Sequence, residues 1–490
     1  MELSNRQKDV LLEWVNTDRN ICINAVAGSG KSTLLLCLIK KSKENVIYTA
    51  FNSSIQKEMQ ERFDKLGLEH AKSKTLHSLG YYVLRKHRKV NINNGIKWEL
   101  LKQWQKQCYK ELRYMKWEEK QKLNFFMLNL HEYSRLFLTN KLEELEKHFY
   151  SLGKPFLDDD NISKLWIKFQ NIRNRHYNRK EIDIDYTDMI YLPVYYDLRV
   201  VVNCSYLMID ECQDLNLLQH KLIDKILKYN DIKKWVAVGD QRQSIYGFSG
   251  SFSDSMGLFK KRDNVVELPL DICYRCPKLV INESNKVYDV MTGFKEDDGV
   301  VEVLYSEVDI KSNSLVICRN TQPLIDLYFR LVLQDRSCYL KGEDILASIK
   351  NFLSAYKGKN IYAAENLISN ELKSLNRSSK DSDKMKYHYI KDMYKIFTTI
   401  LKIFDIKNGE INFIIKKLES LFVEKDNAIA LCTIHKSKGL ESDYVYILNE
   451  KGTIPSPFAK TKDQKIQEEN LRYVARTRAK KEMYYLELKI

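Results

Sequence analysis

A glycine-rich stretch near the N-terminus, AVAGSGKST, has the residue types and spacing of a phosphate-binding loop. It follows the apolar run NICINAVA and precedes LLLCLIKK, an order that predicts a strand, a tight turn and a helix. Glycines let backbone N–H groups wrap phosphates at a helix N-terminus, a lysine reaches the β and γ phosphates, and a serine ligates magnesium. The sequence therefore predicts an ATP-binding loop made of Ala27, Gly28, Ser29, Gly30, Lys31, Ser32 and Thr33.

A second stretch, SYLMIDECQDL, places Asp210 and Glu211 at the end of an apolar run. An ATPase needs one carboxylate to hold magnesium and another to orient or deprotonate the attacking water. We expect Asp210 to hold the metal together with Ser32, and Glu211 to act on the water. An acidic pair after a strand is common in itself, so this assignment depends on the loop upstream.

Short apolar runs that end in a glycine-containing turn occur towards both ends of the chain. Gly28, Gly239 and Gly439 follow the runs NICINAVA, WVAV and IALCTIH. In a parallel sheet, buried strands of this kind deliver loops to the carboxyl edge, where ligands bind. The pattern predicts an α/β protein with two cores, the first from residues 1–84 and 181–267 and the second from residues 268–339 and 426–490.

Two lysine-rich stretches of helical pattern interrupt these cores, at residues 85–180 and 340–425. We interpret both as helical insertions in the parallel-sheet domains. The first insertion carries four of the six tryptophans, which we expect to be core residues: Trp98, Trp104, Trp117 and Trp166.

The composition restricts the class of protein without fixing its partner. A net charge of +15 and a pI of about 9.0 suit a surface that displaces counterions from a polyanion, although lysine-rich proteins also arise without such a partner. No apolar run approaches the roughly 20 residues that span a bilayer, and the N-terminus has no secretory pattern. We therefore expect a cytoplasmic or nucleoplasmic protein with no membrane partner.

The sequence contains a single C-x-x-C pair, Cys273 and Cys276, and no second pair that would complete a zinc site. We interpret these two cysteines as packing residues.

The order and wording of the remaining motifs resemble superfamily 1 DNA helicases of the UvrD/Rep type, and most of all their F-box DNA helicase branch. The resemblance runs from about Leu3 to Lys480, although both insertions are only loosely similar. It is carried by LSNRQ, YTAFNSSIQKEM, KTLHSLGY, VAVGDQRQSIYGFSG, LPLDICYRCP, LCTIHKSKGLESD and EENLRYVARTRAKK, in addition to the two stretches above. It implies two RecA-like P-loop domains with ATP at their interface.

The resemblance assigns further residues to the nucleotide. Gln7 would read the adenine and Tyr274 would stack on it. Arg275 and Arg478 would reach the γ-phosphate as cationic groups that stabilise transition-state charge. In addition, the family pattern places a γ-phosphate sensor at Gln243, support for the metal and water network at Asp240, and ribose neighbours at Gly439 and Glu441.

The same resemblance implies a track for single-stranded DNA. Aromatic stacking is worth about 1–3 kcal/mol per base and does not depend on base identity, which suits a motor that must pass any sequence. A Phe or Tyr at the edge of an apolar strand is more often a packing residue, so these assignments depend on the motif match. The implied DNA contacts are Phe51, Asn52, Thr75, His77, Tyr246, Phe248, Thr433, His435 and Lys436.

The function implied is an ATP- and Mg²⁺-dependent helicase or translocase that moves 3′→5′ on single-stranded DNA and acts at junctions with duplex. Two alternatives stay open: a translocase that strips bound proteins, and a nucleotide-gated DNA-binding subunit that regulates a partner nuclease. A repair or replication factor is another possible protein partner.

Three departures from the family pattern qualify this reading. Thr33 stands where an arginine often helps to sandwich the adenine, so base selectivity is expected to be relaxed. Ser249 stands where an arginine commonly follows the aromatic residue of the coupling segment, which predicts weaker coupling. The second insertion is short, so the duplex contacts and autoinhibition of bacterial repair helicases are not expected. The chain ends soon after the last motif, and we expect no fused nuclease.

Overall fold

A computed structural model describes residues 3–146, 159–245, 254–356, 358–376, 381–403, 406, 409–419, 423–457, 459 and 461–489. These residues form two compact units. The first contains the chain up to Ala25 together with Gly30–Leu270, and the second contains Val26–Ser29 together with the chain from Asp271 onward.

The first unit is built on a six-stranded parallel sheet with strand order β3-β2-β6-β7-β1-β8, and a separate parallel pair joins β4 to β5. Its strands are β1 Asn20–Ala25, β2 Val46–Ala50, β3 Ala71–Thr75, β4 Lys89–Ile92, β5 Glu181–Ile184, β6 Tyr206–Ile209, β7 Lys234–Gly239 and β8 Val265–Leu270. Its helices are α1 Asn5–Asn16, α2 Lys31–Lys41, α3 Ser53–Lys65, α4 Leu76–His87, α5 Ile96–Gln107, α6 Tyr109–Leu112, α7 Trp117–Leu136, α8 Leu142–Glu146, α9 Asp159–Tyr177, α10 Tyr186–Tyr195, α11 Leu217–Tyr229 and α12 Ser255–Lys260. Because β8 runs to Leu270, the first unit continues past the predicted limit at residue 267.

Alternation along the buried strands divides the first unit into two cores, one on each face of the sheet. In β1, Ile21 and Ile23 pack with α1, α2 and α3, whereas Cys22 packs on the opposite face with α4, α10 and α11. The central strands β2, β6 and β7 are buried on both faces, as a sheet covered by helices on both sides requires.

The outer edge of the sheet at β3 is closed by its own neighbours. Ser73 donates its backbone N–H to Gln60 Oε1 and accepts from Gln56 Nε2, both at 2.9 Å. The N–H groups of Ala71 and Thr75 donate to the Leu68 carbonyl and to Ser78 Oγ. Unpaired strand edges invite pairing with other chains, and the glutamines of α3 remove that possibility here.

The stretch from α5 to α9 has an apolar core of its own. Trp104 and Trp166 lie fully inside it, and their indole N–H groups donate to the carbonyls of Leu165 and Asn140. Trp98 and Trp117 are 51% and 69% exposed, so the expectation that they are core residues was wrong. Trp98 is out of phase with the buried positions of α5, because Ile96, Leu100, Leu101 and Trp104 define its inner face.

A buried ionic cluster connects this helical stretch to the sheet. Arg135 of α7 is fully buried and donates to Asp185 at 2.7 Å and to Asp188 at 2.9 Å, and it also pairs with Glu132. The Tyr177 hydroxyl donates to Asp188 as well. Removing one partner from such a cluster would leave an uncompensated buried charge, so the cluster fixes α7 against the start of α10.

The second unit has a six-stranded parallel sheet with strand order β11-β16-β15-β12-β14-β13, together with a parallel pair of β9 and β10. Its strands are β9 Ile272–Cys273, β10 Thr292–Gly293, β11 Val300–Leu304, β12 Leu315–Cys318, β13 Cys338–Leu340, β14 Ile429–Thr433, β15 Ser442–Leu448 and β16 Ala479–Leu486. Its helices are α13 Lys278–Asn285, α14 Thr321–Leu333, α15 Glu343–Ser354, α16 Ile361–Asn376, α17 Asp381–Ile403, α18 Ile411–Glu419, α19 Glu450–Thr453 and α20 Lys462–Arg476.

The helical stretch of the second unit, α15 to α18, shares one core with the sheet. Ile349, Ile368 and Ile396 belong to the same apolar cluster as Leu431 and Leu486 of the strands. Two parallel sheets, each accompanied by a helical stretch, confirm the predicted α/β class with two RecA-like domains. Among the described helices, none is both long enough and apolar enough to cross a bilayer.

The separate core of α5 to α9 leads to a prediction on stability. Trp104→Ala should lower the free energy of unfolding of this stretch by about 3–5 kcal/mol, because it leaves a cavity and removes a buried hydrogen bond. Trp98→Ala on the outer face of the same helix should change it by less than about 0.5 kcal/mol. Urea unfolding of both variants checks this, and equal losses would contradict a separate core centred on Trp104.

Candidate functional site

The predicted phosphate-binding loop joins the end of β1 to the start of α2. Gly28 and Gly30 have φ angles of 69° and 77°, in the left-handed region that glycine adopts without strain. Gly30 is the N-cap of α2 and has no side chain that could accept a hydrogen bond from the N–H groups of the first turn. Unsatisfied N–H groups and the helix dipole favour an anion at this position. Ser32 and Thr33 lie in the same first turn, directly after Lys31.

Lys31 lies against the predicted water-activating carboxylate. Its Nζ is 3.1 Å from Glu211 Oε1, and the side chains are 12% and 21% exposed. Burial lowers the pKa of the Lys31 ammonium, but the negative charges of Glu211, Asp210 and Asp240 outweigh it and hold that pKa above its usual range. The lysine therefore stays charged and is attracted to the acidic side chains that follow β6 and β7.

Asp210 is buried at the end of β6 and accepts two hydrogen bonds. The Tyr48 hydroxyl donates to Oδ2, and the backbone N–H of Glu211 donates to Oδ1 at 2.9 Å. Burial, and after it the neighbouring Glu211 charge, raise the pKa of this carboxyl to about 6, although the positive charge of Lys31 acts in the opposite direction. A divalent cation would offset the cost of the buried charge, so the residues present fit magnesium.

A network of side chains connects the ends of β6 and β7. Gln213 Oε1 accepts the backbone N–H of Asp240 at 3.1 Å, and Gln243 Nε2 donates to Asp240 Oδ2 at 2.9 Å. Arg242 also donates to Asp240. Only glycine fits at the end of β7, because a Cβ atom at Gly239 would lie 2.4 Å from Gln213 Oε1. The network brings Asp240 and Gln243 into contact.

The second unit contains Tyr274, which is predicted to stack on the adenine, and the two predicted γ-phosphate arginines. The backbone N–H of Tyr274 donates to the carbonyl of Gly28 at 2.9 Å, and the ring of Tyr274 lies 4.8 Å from that of Phe294. Among the described residues, none pairs with the buried Tyr274 hydroxyl. Cys273 and Cys276 on either side are fully buried, in line with their predicted packing role.

The two predicted γ-phosphate arginines already have partners within the second unit. Arg275 Nε is 2.8 Å from Glu441 Oε2, and the Arg275 guanidinium also donates to the Thr477 carbonyl at 2.9 Å. Arg478 is 1% exposed and donates to the carbonyls of Val474 and Leu440. Arg275 thus contacts one predicted ribose neighbour, Glu441. The other, Gly439, has a left-handed φ of 85° next to Leu440.

Four predicted DNA contacts lie at the carboxyl ends of β2 and β3. Asn52 caps α3 by accepting the Ile55 N–H at 2.9 Å, and Thr75 caps α4 in a reciprocal pair with Ser78. Phe51 and His77 line one small cleft together with Asp210. Burial lowers the pKa of His77 and favours its neutral form. This cleft brings residues predicted for DNA next to a residue predicted for the metal.

Three further predicted contacts follow β14 in the second unit. Thr433 ends the strand, and its Oγ1 accepts the backbone N–H of Lys436 at 3.4 Å. Burial lowers the pKa of His435 to about 4, with the positive charge of Arg319 as the next cause, so this imidazole is neutral at physiological pH. The predicted contacts Tyr246 and Phe248, and the departure at Ser249, lie outside the described residues.

Gln7 has a structural role that its motif did not suggest. It is 5% exposed, and its Oε1 accepts the Ser4 N–H while Ser4 Oγ accepts the Gln7 N–H, which forms a capping box at the start of α1. Sequence reasoning also missed Tyr48, although its hydroxyl contacts Asp210. A single tyrosine in a buried strand is usually a packing residue, and no local pattern distinguishes this one.

The raised pKa of Asp210 leads to a prediction on pH. Between about pH 4 and pH 6 the unfolded chain has lost the Asp210 proton, whereas the buried carboxyl of the folded chain still holds it. The free energy of unfolding of the wild type therefore falls as pH rises over that range. Asp210→Asn cannot ionise. Without Mg²⁺ or nucleotide, this variant should gain up to about 3 kcal/mol relative to wild type above pH 6, and the gain should vanish near pH 4.

Unfolding midpoints of both chains across this pH range test the prediction. Glu44→Gln, which removes an exposed carboxylate paired with Lys233, is a suitable control because it should show no such pH-dependent gain. A stability difference between Asp210→Asn and wild type that is the same at every pH would contradict the assignment.

Comparison with known proteins identifies the family to which a large part of the chain is similar. The family model of the UvrD/REP helicase N-terminal domain matches residues 3–263. The chain is 26% identical over 316 residues to ATP-dependent DNA helicase Rep of Buchnera aphidicola, an alignment that covers 59% of this chain and 44% of that protein. It is 27% identical over 267 residues to the putative ATP-dependent DNA helicase YjcD of Bacillus subtilis, covering 50% and 33%.

A third relative, DNA helicase II of Haemophilus influenzae, is 23% identical over 301 residues, covering 55% of this chain and 38% of that protein. In each case the chain spans less than half the length of the relative. The family model nevertheless matches more than half of the 490 residues. The chain belongs to the UvrD/REP helicase family.

Proposed function

We propose that this chain is an ATP-driven motor that moves along single-stranded DNA and separates strands at junctions with duplex. The observation that carries this proposal is the buried cluster of Lys31, Glu211 and Asp210, with Lys31 Nζ 3.1 Å from Glu211 Oε1. A loop lysine beside two carboxylates at the carboxyl edge of a parallel sheet is the arrangement that ATP hydrolysis requires.

Bound Mg²⁺-ATP would supply the phosphoryl group and the free energy of its hydrolysis. Lys31 would exchange its contact with Glu211 for the β and γ phosphates, because phosphate carries more negative charge than one carboxylate. Glu211 would then be available to orient the attacking water. Asp210 and Ser32 would hold the metal, and Asp240 with Gln243 would sense the γ-phosphate side of the site. Gln7 and Tyr274 would hold the adenine.

Two features of the first unit favour coupling between nucleotide and DNA. Gln213 connects the turn after β6 to Asp240 after β7, so a shift at one strand end is transmitted to the other. Phe51 and His77 share their cleft with Asp210. Movement of Asp210 towards a metal would therefore alter the surroundings of two side chains that we propose to contact DNA.

The arginines of the second unit would complete the catalytic site. Arg275 is held by Glu441, and Arg478 by backbone carbonyls, in the structure described above. We propose that nucleotide draws Arg275 away from Glu441, since a γ-phosphate is the stronger anion. This exchange would make hydrolysis depend on the conformation of the second unit.

The DNA track would consist of Phe51, Asn52, Thr75 and His77 in the first unit and Thr433, His435 and Lys436 in the second, with Tyr246 and Phe248 added by motif resemblance. The resemblance favours 3′→5′ movement. The two helical stretches would act as insertions in the motor cores rather than as parts of the ATP site.

Lys31→Ala should abolish ATP hydrolysis stimulated by single-stranded DNA while DNA binding is largely retained. The reason is that the variant loses the cation that faces the phosphates but keeps every residue proposed for the track. Steady-state hydrolysis with and without DNA, together with fluorescence anisotropy of a labelled strand, measures both effects. In the wild type, DNA should raise turnover by about tenfold or more, because DNA would favour the conformation in which Arg275 leaves Glu441 for the γ-phosphate.

Lys40→Ala is the matched control, since Lys40 is exposed near the far end of the same helix. It should leave both activities unchanged. Retained DNA-stimulated hydrolysis in Lys31→Ala would contradict the phosphate-loop assignment. Absence of DNA stimulation in a wild-type chain that binds ATP would contradict the motor and favour a switch that needs a protein partner.

A further inference from the structure

The outer face of α5 and α6 carries a row of two aromatic and three basic side chains. It comprises Trp98, Lys102, Lys106, Tyr109 and Arg113, which follow one another at intervals of four, four, three and four residues. All five are exposed, Trp98 at 51% and Tyr109 at 65%. We refer to these five residues as the α5–α6 stripe.

The first three members of the stripe lie on one face of α5. At about 100° per residue, Trp98, Lys102 and Lys106 fall within a sector of about 80° and extend over about 12 Å. The backbone turns at Cys108, where φ is −97° and ψ is 19°, and Tyr109 and Arg113 follow at the start and end of α6. The opposite face is occupied by the buried core residues Ile96, Leu100 and Trp104.

The charges in this sector are all positive. The acidic residues of the two helices point elsewhere: Glu99 accepts from Asn93, and Glu111 pairs with Lys168 of α9. Among the described residues, no carboxylate lies within ion-pair distance of Lys102, Lys106 or Arg113. The Arg113 guanidinium lies 4.4 Å from the ring centroid of Tyr114, which is itself 82% exposed.

An indole and a phenol exposed between three cations are not explained by packing or by solvation. A single exposed aromatic residue needs no special cause, but two exposed rings in one row with three basic side chains indicate a binding surface. Rings offer stacking to any base, and lysines interleaved with them offer charge to the phosphates that connect successive bases. This combination fits single-stranded nucleic acid better than an apolar protein surface, which would leave three ammonium or guanidinium groups without counter-charges.

We propose that the α5–α6 stripe is a second binding site for single-stranded DNA, separate from the track at the carboxyl ends of the strands. The proposal depends on the proposed function only for the choice of DNA as the polymer. The stripe would hold a stretch of the strand that lies outside the motor, and it would lengthen the time that the chain stays bound.

Binding to oligothymidylates of two lengths tests this site in the full chain without nucleotide. A strand of about 10 nucleotides can occupy one site, whereas a strand of about 40 can reach both. Trp98→Ala/Tyr109→Ala should weaken binding of the long strand by about tenfold or more and leave the short strand unchanged. Lys102→Gln/Lys106→Gln should reduce the salt slope of log K for the long strand by about 1.4.

Two controls separate binding from folding. Tyr305→Ala/Tyr362→Ala removes two rings that are 77% and 73% exposed in the second unit and should change nothing. Trp98→Phe keeps a stacking ring and should restore most of the affinity that Trp98→Ala loses, which a merely structural defect would not allow.

Several outcomes would overturn the proposal. One is that both stripe variants bind the long strand with unchanged affinity. Another is that they lose equal affinity for the long and the short strand. Unchanged DNA affinity with stripe-dependent binding of polyglutamate would instead identify an interface for an acidic protein. The measurement needs no hydrolysis, so a chain that lacks DNA-stimulated ATPase would contradict the motor while the loss of long-strand affinity still supported the stripe.

Discussion

The buried charge cluster at the end of β6 is the constraint on which the rest of the first unit depends. Burial disfavours the ionised form of Asp210, and Lys31, the Tyr48 hydroxyl and the backbone N–H of Glu211 offset that cost. Keeping these groups within contact distance requires β1, β2 and β6 to end at the same edge, which a parallel sheet provides. The helices on both faces then serve to exclude water from the strands that carry the cluster.

The two units attach their helical stretches to the parallel sheet in different ways. In the first, the helical stretch from α5 to α9 has a separate core and is fixed through the Arg135 cluster. In the second, α15 to α18 extend the core of the sheet itself. Residues 26–29 of the phosphate loop belong to the second unit although the chain before and after them belongs to the first.

Sequence reasoning identified the features whose chemistry is local. The phosphate loop, the Asp210–Glu211 pair and the two sets of buried strands are encoded in short contiguous runs, and these lie where the pattern placed them. Contacts between distant positions could not be predicted from local patterns: Tyr48 and Asp210 are 162 residues apart, and the Arg135 cluster combines residues from α7, α9 and α10. The tryptophans were a different kind of error. Residue type suggested burial for Trp98, but its phase relative to Ile96 and Leu100 indicated the outer face, and phase was the better guide.

The Arg135 cluster also determines how the protein responds to ionic strength. Salt screens charges that face solvent, whereas a guanidinium enclosed by carboxylates has almost no contact with mobile ions. Concentrated salt should therefore leave the Arg135 cluster intact and the helical stretch in place. The lysines on the outer face of this stretch are exposed, so salt screens their charges. Salt would therefore release a polyanion bound to these lysines without unfolding the helical stretch.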